Sequence, residues 1–584
     1  MMHRTRNAIA AASAAILFAA LPAVAVTNGY SDAPPGVTSQ MASGGSSASF
    51  EAQVVAALVN FKTVTKIYRQ CVRGAAVSDD VVDCDGNAAT KDAVQSFVLI
   101  EGTMWDVADA SNPGTLAGGS PVGIATPGTN LYVMRIGSHG SSRGINCAKT
   151  TSPIQIGFLA PEGKDGTFGT ADDAGCPVGG IPFDGTNGGT ATCGYGFTGA
   201  GNGSGATRQS AQVTNCGGAS ASSLLGDIRI PASTSFAGSQ QFCIIDDDTS
   251  GDGALAGAND GTPVGAANLL EASTLRVNCS LGFADLPPTD FSDSALNTSL
   301  FADQNLSGAQ IFKLAATKNI VAASDTTKKP RWNKPQIEAL FKTSGANSAF
   351  LWREVGAKQI AGAGAAPADN GGVVKICGRT AGSGTKEVFR LSWLTNTGGS
   401  SNEGAANQST VRTIGGVGSL VTKQVSLTAT TDTVVQCLEA AYDANQAAIG
   451  YIDGSKFPNT SPVKWYGVPV EGVDPDTNDL KQLVRCGQYR WWGPLTNGRR
   501  TAVDGTPISA LESSFRGALQ NTVVWNNVAP INVNFQSYEP LSTVYFGKTT
   551  TDGAYSENPI VPEQGGGASV FCPSFPADPA APPL

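Results

Sequence analysis

An α/β fold is the prediction for this chain, and two observations carry it. From Leu270 onward, short apolar runs at 275–283, 373–377 and 449–452 alternate with segments of helical period at 335–341 and 433–448. Strands and helices follow one another in that way in α/β proteins. In addition, the apolar run 373–377 passes through Arg379-Thr380-Ala381-Gly382-Ser383-Gly384-Thr385 into a helical segment, 386–394, so strand, tight turn and helix start are contiguous.

Taken in order, residues 1–25 carry Arg4 and Arg6, an apolar run over 8–21 and then Ala23-Val24-Ala25, which reads as a secretory signal with a small-residue cleavage site. The mature chain is expected to start near Val26. The first cysteine is Cys71, so no lipid anchor is expected at the cleavage point. Residues 43–66 open with a Gly/Ser turn and continue with Phe50, Val54, Val55, Leu58, Val59 and Phe61, a spacing that predicts a turn followed by a helix. From 147 to 268 the chain is dominated by Gly, Ser, Thr, Asp and Ala, with Cys147, Cys176, Cys193, Cys216 and Cys243 spread through it. That composition predicts a loop-rich, disulfide-stapled insertion. A helix is expected at 509–519, and the Gly/Pro/Ala-rich stretch 549–584 reads as a tail pinned by Cys572.

Charge and cysteine usage narrow the function. The 584 residues hold 38 basic and 47 acidic side chains; without Arg4 and Arg6 the balance is 36 against 47, a net charge of −11. Nucleic acid is not an expected partner, because phosphate backbones are gripped by basic surfaces. No apolar run after the signal is long enough to span a bilayer, so no membrane insertion is expected. The 12 cysteines contain no CxxC pair, and the histidines are only His3 and His139, so structural disulfides are expected and neither a Cys/His metal site nor a cofactor is.

The turn at 379–385 carries the sharpest chemistry. Two glycines let the backbone approach a ligand, and Ser383 and Thr385 add hydroxyls to the free N–H groups and positive dipole end of the following helix. Such a corner can hold an oxyanion, although an ordinary Ser-capped helix start has the same composition. Elsewhere, Asp246-Asp247-Asp248-Thr249-Ser250-Gly251-Asp252 resembles a calcium loop, but its twelfth position is Gly257 rather than Glu, so a solvated acidic turn is the expectation. The acidic stretch 165–173 is read in the same way. Trp491 and Trp492, beside Arg490, are expected to fill a lobe or hinge rather than to stack on a ligand.

Several segments, in order, resemble the phosphate-binding proteins of bacterial ABC importers, of the type II periplasmic binding-protein family. The turn Arg379-Thr380-Ala381-Gly382-Ser383-Gly384-Thr385 is similar to that family's Arg-x-Asp-Gly-Ser-Gly-Thr loop. Ser43-Gly44-Gly45-Ser46-Ser47-Ala48-Ser49-Phe50 resembles its N-terminal Gly-rich turn, Ile136-Gly137-Ser138-His139-Gly140-Ser141 its Ile-Gly-Ser-Ser-Gly loop, and Gly282-Phe283-Ala284-Asp285-Leu286-Pro287 its Gly-Ala-Ser-Asp-x-Pro turn. Residues 332–341 are similar to its second-lobe Gln-Ile-x-x-Ile-Phe helix, and Ala447-Ala448-Ile449-Gly450-Tyr451 to its Ala-Ile-Gly-Tyr strand. Ala381 departs from the pattern, since the family places there an Asp that orients the arginine. His139 is a second departure.

The resemblance implies a two-lobed type II fold, a Venus flytrap, with the insertion at about 147–268. Residues 26–315 plus 500–548 would form lobe 1 and 316–499 lobe 2. It also implies an anion clamp in which Ser49, Phe50, Ser138 and Asp285 face Arg379, Ser383, Gly384 and Thr385. Asp285 would accept a hydrogen bond from a protonated phosphate and turn away sulfate. The implied function is a non-enzymatic periplasmic or secreted solute-binding protein that captures phosphate or a similar oxyanion, with an ABC permease as its partner. Two alternatives stand beside it: a surface interaction protein on a degenerate scaffold, and a phosphatase on the same scaffold, which the single histidine of the mature chain disfavours.

Overall fold

The computed structural model describes residues 37–73, 92–154, 156–159, 279–301, 303–342, 348–360, 372–394, 407–428, 431–454, 462–485, 491–500, 509–527 and 537–540, with short strand segments and isolated positions elsewhere. The signal segment, Cys176, Cys193, Cys216, Cys572 and most of the acidic stretches and tail lie outside these residues.

The chain opens with β1 (Val37–Gly45), α1 (Phe50–Val59), β2 (Phe61–Arg73), β3 (Asp92–Met104), β4 (Leu131–Ser138) and α2 (Ser141–Ala148). It continues with β5 (Leu281–Ala284), β6 (Asn305–Thr317), α3 (Lys334–Phe341), β7 (Lys375–Arg379) and α4 (Gly384–Phe389). Then come β8 (Gln408–Ile414), β9 (Val417–Thr428), α5 (Thr431–Asp443), β10 (Ala448–Asp453), β11 (Trp492–Arg499) and α6 (Ala510–Gln520).

Alternating strands and helices thus give the expected α/β class, built around one large mixed sheet in the order β8-β9-β7-β10-β6-β11-β5-β1-β4-β3-β2 and on to Ser235–Asp246. At one side β1 runs parallel to β4 and β5. At the other, β7 runs parallel to β9 and β10. The strand β6 joins them: Asn305 to Ile311 pair with β11, and Phe312 to Ala316 pair with β10. A single cluster of buried residues likewise runs from Ala42 and Ile145 through Ile311 and Phe312 to Ile449 and Trp491. A separate cluster packs α1 and α6 against β1 to β5.

Several boundaries differ from the sequence periodicity. Helix α1 stops at Val59, where Asn60 turns its Nδ2 back to the Ala56 carbonyl, and Phe61 begins a β-branched strand instead of a further helical turn. Helix α5 ends at Asp443: Asn445 adopts φ +53°, and Ala448 already belongs to β10. The segment 386–394 is a short α-helix followed by a wider π turn, Arg390–Leu394. The apolar run 275–283 splits into Thr274–Val277, paired with Ile156–Leu159, and β5. Cys147 is not in a loop but fully buried on α2, bonded to Cys279.

Trp491 and Trp492 fill the interior as expected, Trp491 lying 5.6 Å from Phe389 and 5.7 Å from Trp393 between ring centroids. At the head of α2, glycine is required by close approach. A Cβ on Gly45 would lie 2.1 Å from the Phe283 carbonyl, and one on Gly144 2.0 Å from the same oxygen. Only bare backbone lets α2 settle onto the ends of β1 and β5, and that contact carries Ser141 to Asp285.

Candidate functional site

Four chain corners meet where the parallel strands end: the turn from β1 to α1, the start of α2, the end of β5, and the turn from β7 to α4. The start of α5 adjoins the last of these through Thr431, which accepts from Arg379. At the centre is Asp285, buried at 1% exposure just past β5. It accepts hydrogen bonds from the Ser46 hydroxyl and, at 3.2 Å, from Thr385 Oγ1, while its backbone N–H donates to Ser141 Oγ at 3.2 Å. Burial raises the Asp285 carboxyl above its ordinary range, and Ser46, the Arg379 charge, Thr385 and Ser141 pull it partly back.

Arg379 closes the other side, also 1% exposed, at the end of β7. Its Nη1 donates to Thr431 Oγ1 at 3.1 Å and Thr385 Oγ1 at 3.4 Å, and its Nη2 to Ser47 Oγ at 3.0 Å. Its backbone N–H bonds the Tyr451 hydroxyl, whose ring stacks on Phe389 at 4.4 Å. Ala381, standing where a carboxylate would orient the arginine in the resembled pattern, is an exposed turn residue. Neutral hydroxyls on α4, α5 and the β1–α1 turn hold the guanidinium.

The structure brings together Asp285, Arg379, Gly384 and Thr385. A Cβ on Gly384 would lie 2.2 Å from Ser141 Oγ and 2.8 Å from Asp285 Oδ2, so that glycine is a point of contact between the two sides. Ser383 is the N-cap of α4, accepting from the Lys386 N–H at 3.3 Å. Ser49 stands one step behind the cluster: its N–H donates to Ser46 Oγ at 3.2 Å and its hydroxyl accepts from Gln53 Nε2 at 2.9 Å. Phe50 starts α1, its N–H on the Ser47 carbonyl at 3.4 Å and its side chain in the core. Ser138 ends β4 opposite Gly45; among the described contacts its hydroxyl is not joined to Asp285, and Ser141 fills that place. His139 lies between Phe97 and Phe158, 5.1 Å from each ring, over Gly44 and Gly137.

Sequence reasoning missed Ser46, Ser47, Ser141 and Thr431. The first two lie inside the Gly/Ser turn that precedes α1, and the others open α2 and α5, so the signal available was the hydroxyl at a helix start. Hydroxyls at or just before the starts of α1, α2, α4 and α5 enter these contacts. A pair of disulfides braces the arrangement. Cys147–Cys279 ties α2 to the approach to β5, and Cys377–Cys437 ties β7 to α5. Among the described residues no group of His, Cys, Asp or Glu has a metal-holding arrangement, and no helix is long and apolar enough to cross a membrane.

The cluster thus combines a buried guanidinium, hydroxyl and N–H donors, and one buried carboxylate. No protein-family model matches the chain, and no curated protein matches it significantly. Among solved structures, it is similar to a protein of Clostridium perfringens assigned as a phosphate ABC transporter substrate-binding protein and solved with bound phosphate. The TM-score is 0.29 and the identity 15%, over 52% of this chain and 88% of that one. It is also similar to a candidate phosphate-binding protein of Planctomyces limnophilus, with TM-score 0.25 and identity 13%, over 52% of this chain and 83% of that one. Likeness of that degree decides neither ligand nor mechanism, so the functional reading rests on the site's own geometry.

Proposed function

We propose that this is a solute-binding protein that captures phosphate or a similar oxyanion at the Asp285–Arg379 cluster. The observation that supports it is the meeting of a buried Arg, a buried Asp and hydroxyls from four helix starts, contributed from both sides of the strand β6. An anion stripped of water needs many directed donors, each charge-assisted hydrogen bond contributing about 1.5 to 3 kcal/mol. Asp285 would accept a hydrogen bond from a protonated oxyanion; Arg379, Thr385 and the N–H groups of Ser383 to Thr385 would donate to its unprotonated oxygens. Two disulfides suit an oxidising compartment, which fits a periplasmic or secreted protein, and an ABC permease would be its partner.

A second reading is favoured by one observation. The donors bond one another across the site, Arg379 to Ser47, Thr385 to Asp285, and the Ser142 N–H to the Gly382 carbonyl at 3.1 Å. A surface interaction protein with a self-satisfied, degenerate cleft would have that pattern. Titration calorimetry of the mature protein with phosphate, arsenate and sulfate separates the two: heat with phosphate that is lost in Arg379→Met supports capture, and no heat with any of the three supports the degenerate cleft.

A further inference from the structure

We infer that Thr431, the first residue of α5, is the positioning residue for Arg379. This deepens the anion-capture reading and rests on it for its effect on affinity. Arg379 ends β7 in register with Thr428, the last residue of β9, and the Thr380 N–H bonds the Thr428 carbonyl at 2.9 Å. Three residues beyond Thr428, Thr431 is 2% exposed, with its Oγ1 accepting from Arg379 Nη1 at 3.1 Å. Nη1 carries two hydrogens, and they point to Thr431 on one side and Thr385 on the other, while Nη2 reaches Ser47. Thr385 and Ser47 face the anion cluster, and a ligand would compete for them. Thr431 is not among the groups bonded to Asp285 in the described contacts, so a ligand at that carboxylate leaves its bond to Arg379 in place.

The fixity of that hydroxyl comes from the covalent frame. Cys377, two residues before Arg379, is bonded to Cys437 on α5, with Cα atoms 5.8 Å apart. Strand and helix therefore cannot slide apart, and the distance from Thr431 to Arg379 is set by a short closed loop through the disulfide. A neutral hydroxyl at Thr431 orients the guanidinium without adding a second carboxylate beside it to that of Asp285, which would neutralise it further.

The test uses the full mature chain and two variants, Thr431→Val and Thr431→Ser. Calorimetry with inorganic phosphate, thermal unfolding and a crystal structure of each are compared. Thr431→Val is expected to weaken phosphate binding about ten-fold, the worth of one charge-assisted hydrogen bond from a displaced guanidinium to the anion, with unfolding still cooperative. Thr431→Ser should bind like the parent. Thr431→Ala replaces the valine variant if that one folds poorly. Unchanged affinity in the valine variant, or an equal loss in the serine variant, would overturn the assignment. Should the parent bind no oxyanion, the capture reading fails while the crystal structures still decide this one: a guanidinium displaced from Thr385 in Thr431→Val upholds it, and an unmoved guanidinium sinks it.

Discussion

Asp285→Asn exchanges the central carboxylate for an amide of nearly the same size, and its effects on stability and on selectivity should separate. The carboxylate accepts from Ser46 and from Thr385 at 3.2 Å and lies in the field of Arg379. Asparagine keeps one acceptor and turns the other position into a donor. Loss of the charge-assisted character of these bonds is offset by relief from burying an ion, so the unfolding midpoint near neutral pH should move little. Selectivity should move much more. In the parent, a protonated phosphate gives its hydrogen to Asp285 whereas sulfate leaves that acceptor facing an anion; in the variant the amide donates to either. An unmatched buried group costs about 1 to 3 kcal/mol, so the phosphate-to-sulfate affinity ratio should fall by about 5- to 150-fold. The sign of the pH effect is fixed as well. Because the folded carboxyl is raised above 3.8, its contribution to stability is full below that value and is lost as pH rises through the folded value; the variant lacks this decline. Calorimetry with both anions and chemical unfolding from pH 4 to 7 measure the two effects. An unchanged affinity ratio would refute the assignment of Asp285 to the ligand.

Gly384→Ala should oppose the approach of α4 to Ser141 and Asp285, because the added Cβ would lie 2.2 Å from Ser141 Oγ; small-angle scattering and calorimetry should show an expanded, weakly binding protein, with Ser141→Gly restoring part of both. Replacing Cys147 and Cys279 together by serine opens a loop of 132 residues, for which chain entropy alone predicts a loss of about 5 kcal/mol in a denaturant titration. Burial lowers the Lys313 and Lys423 ammonium groups to about 8 and about 7, below their unfolded value of 10.5. The unfolded chain then binds more protons, so stability should rise between pH 7 and 10.5, and Lys423→Met should reduce that slope in unfolding experiments.

The strand–turn–helix at 375–389 was legible because period and turn residues agree over a few positions, and the helices expected at 335–341 and 509–519 are present as α3 and α6, capped by Asn333 and Ser509. The turn and helix expected within 43–66 are present, but the helix is shorter than its periodicity, since Phe61 falls on helical spacing by coincidence and its pairing with β3 makes it part of a strand. At the site, Thr385 stands out in the Gly/Ser turn itself, while Asp285 and Arg379 are singled out through the family resemblance. Ser141 and Thr431 could not, because each is tied to its partner by contacts 144 and 52 residues apart in sequence.

By itself the sequence determined the α/β class, the glycines that allow close backbone approach, and hydroxyls placed at helix starts. These are local matters, decided by side-chain volume, period and dihedral freedom. Only the tertiary structure decided that Ser46, Ser141, Thr385 and Thr431 gather around Asp285 and Arg379, because burying that charged pair requires donors and acceptors from distant corners of the chain at one point. Cys147–Cys279 and Cys377–Cys437 join elements that carry those corners.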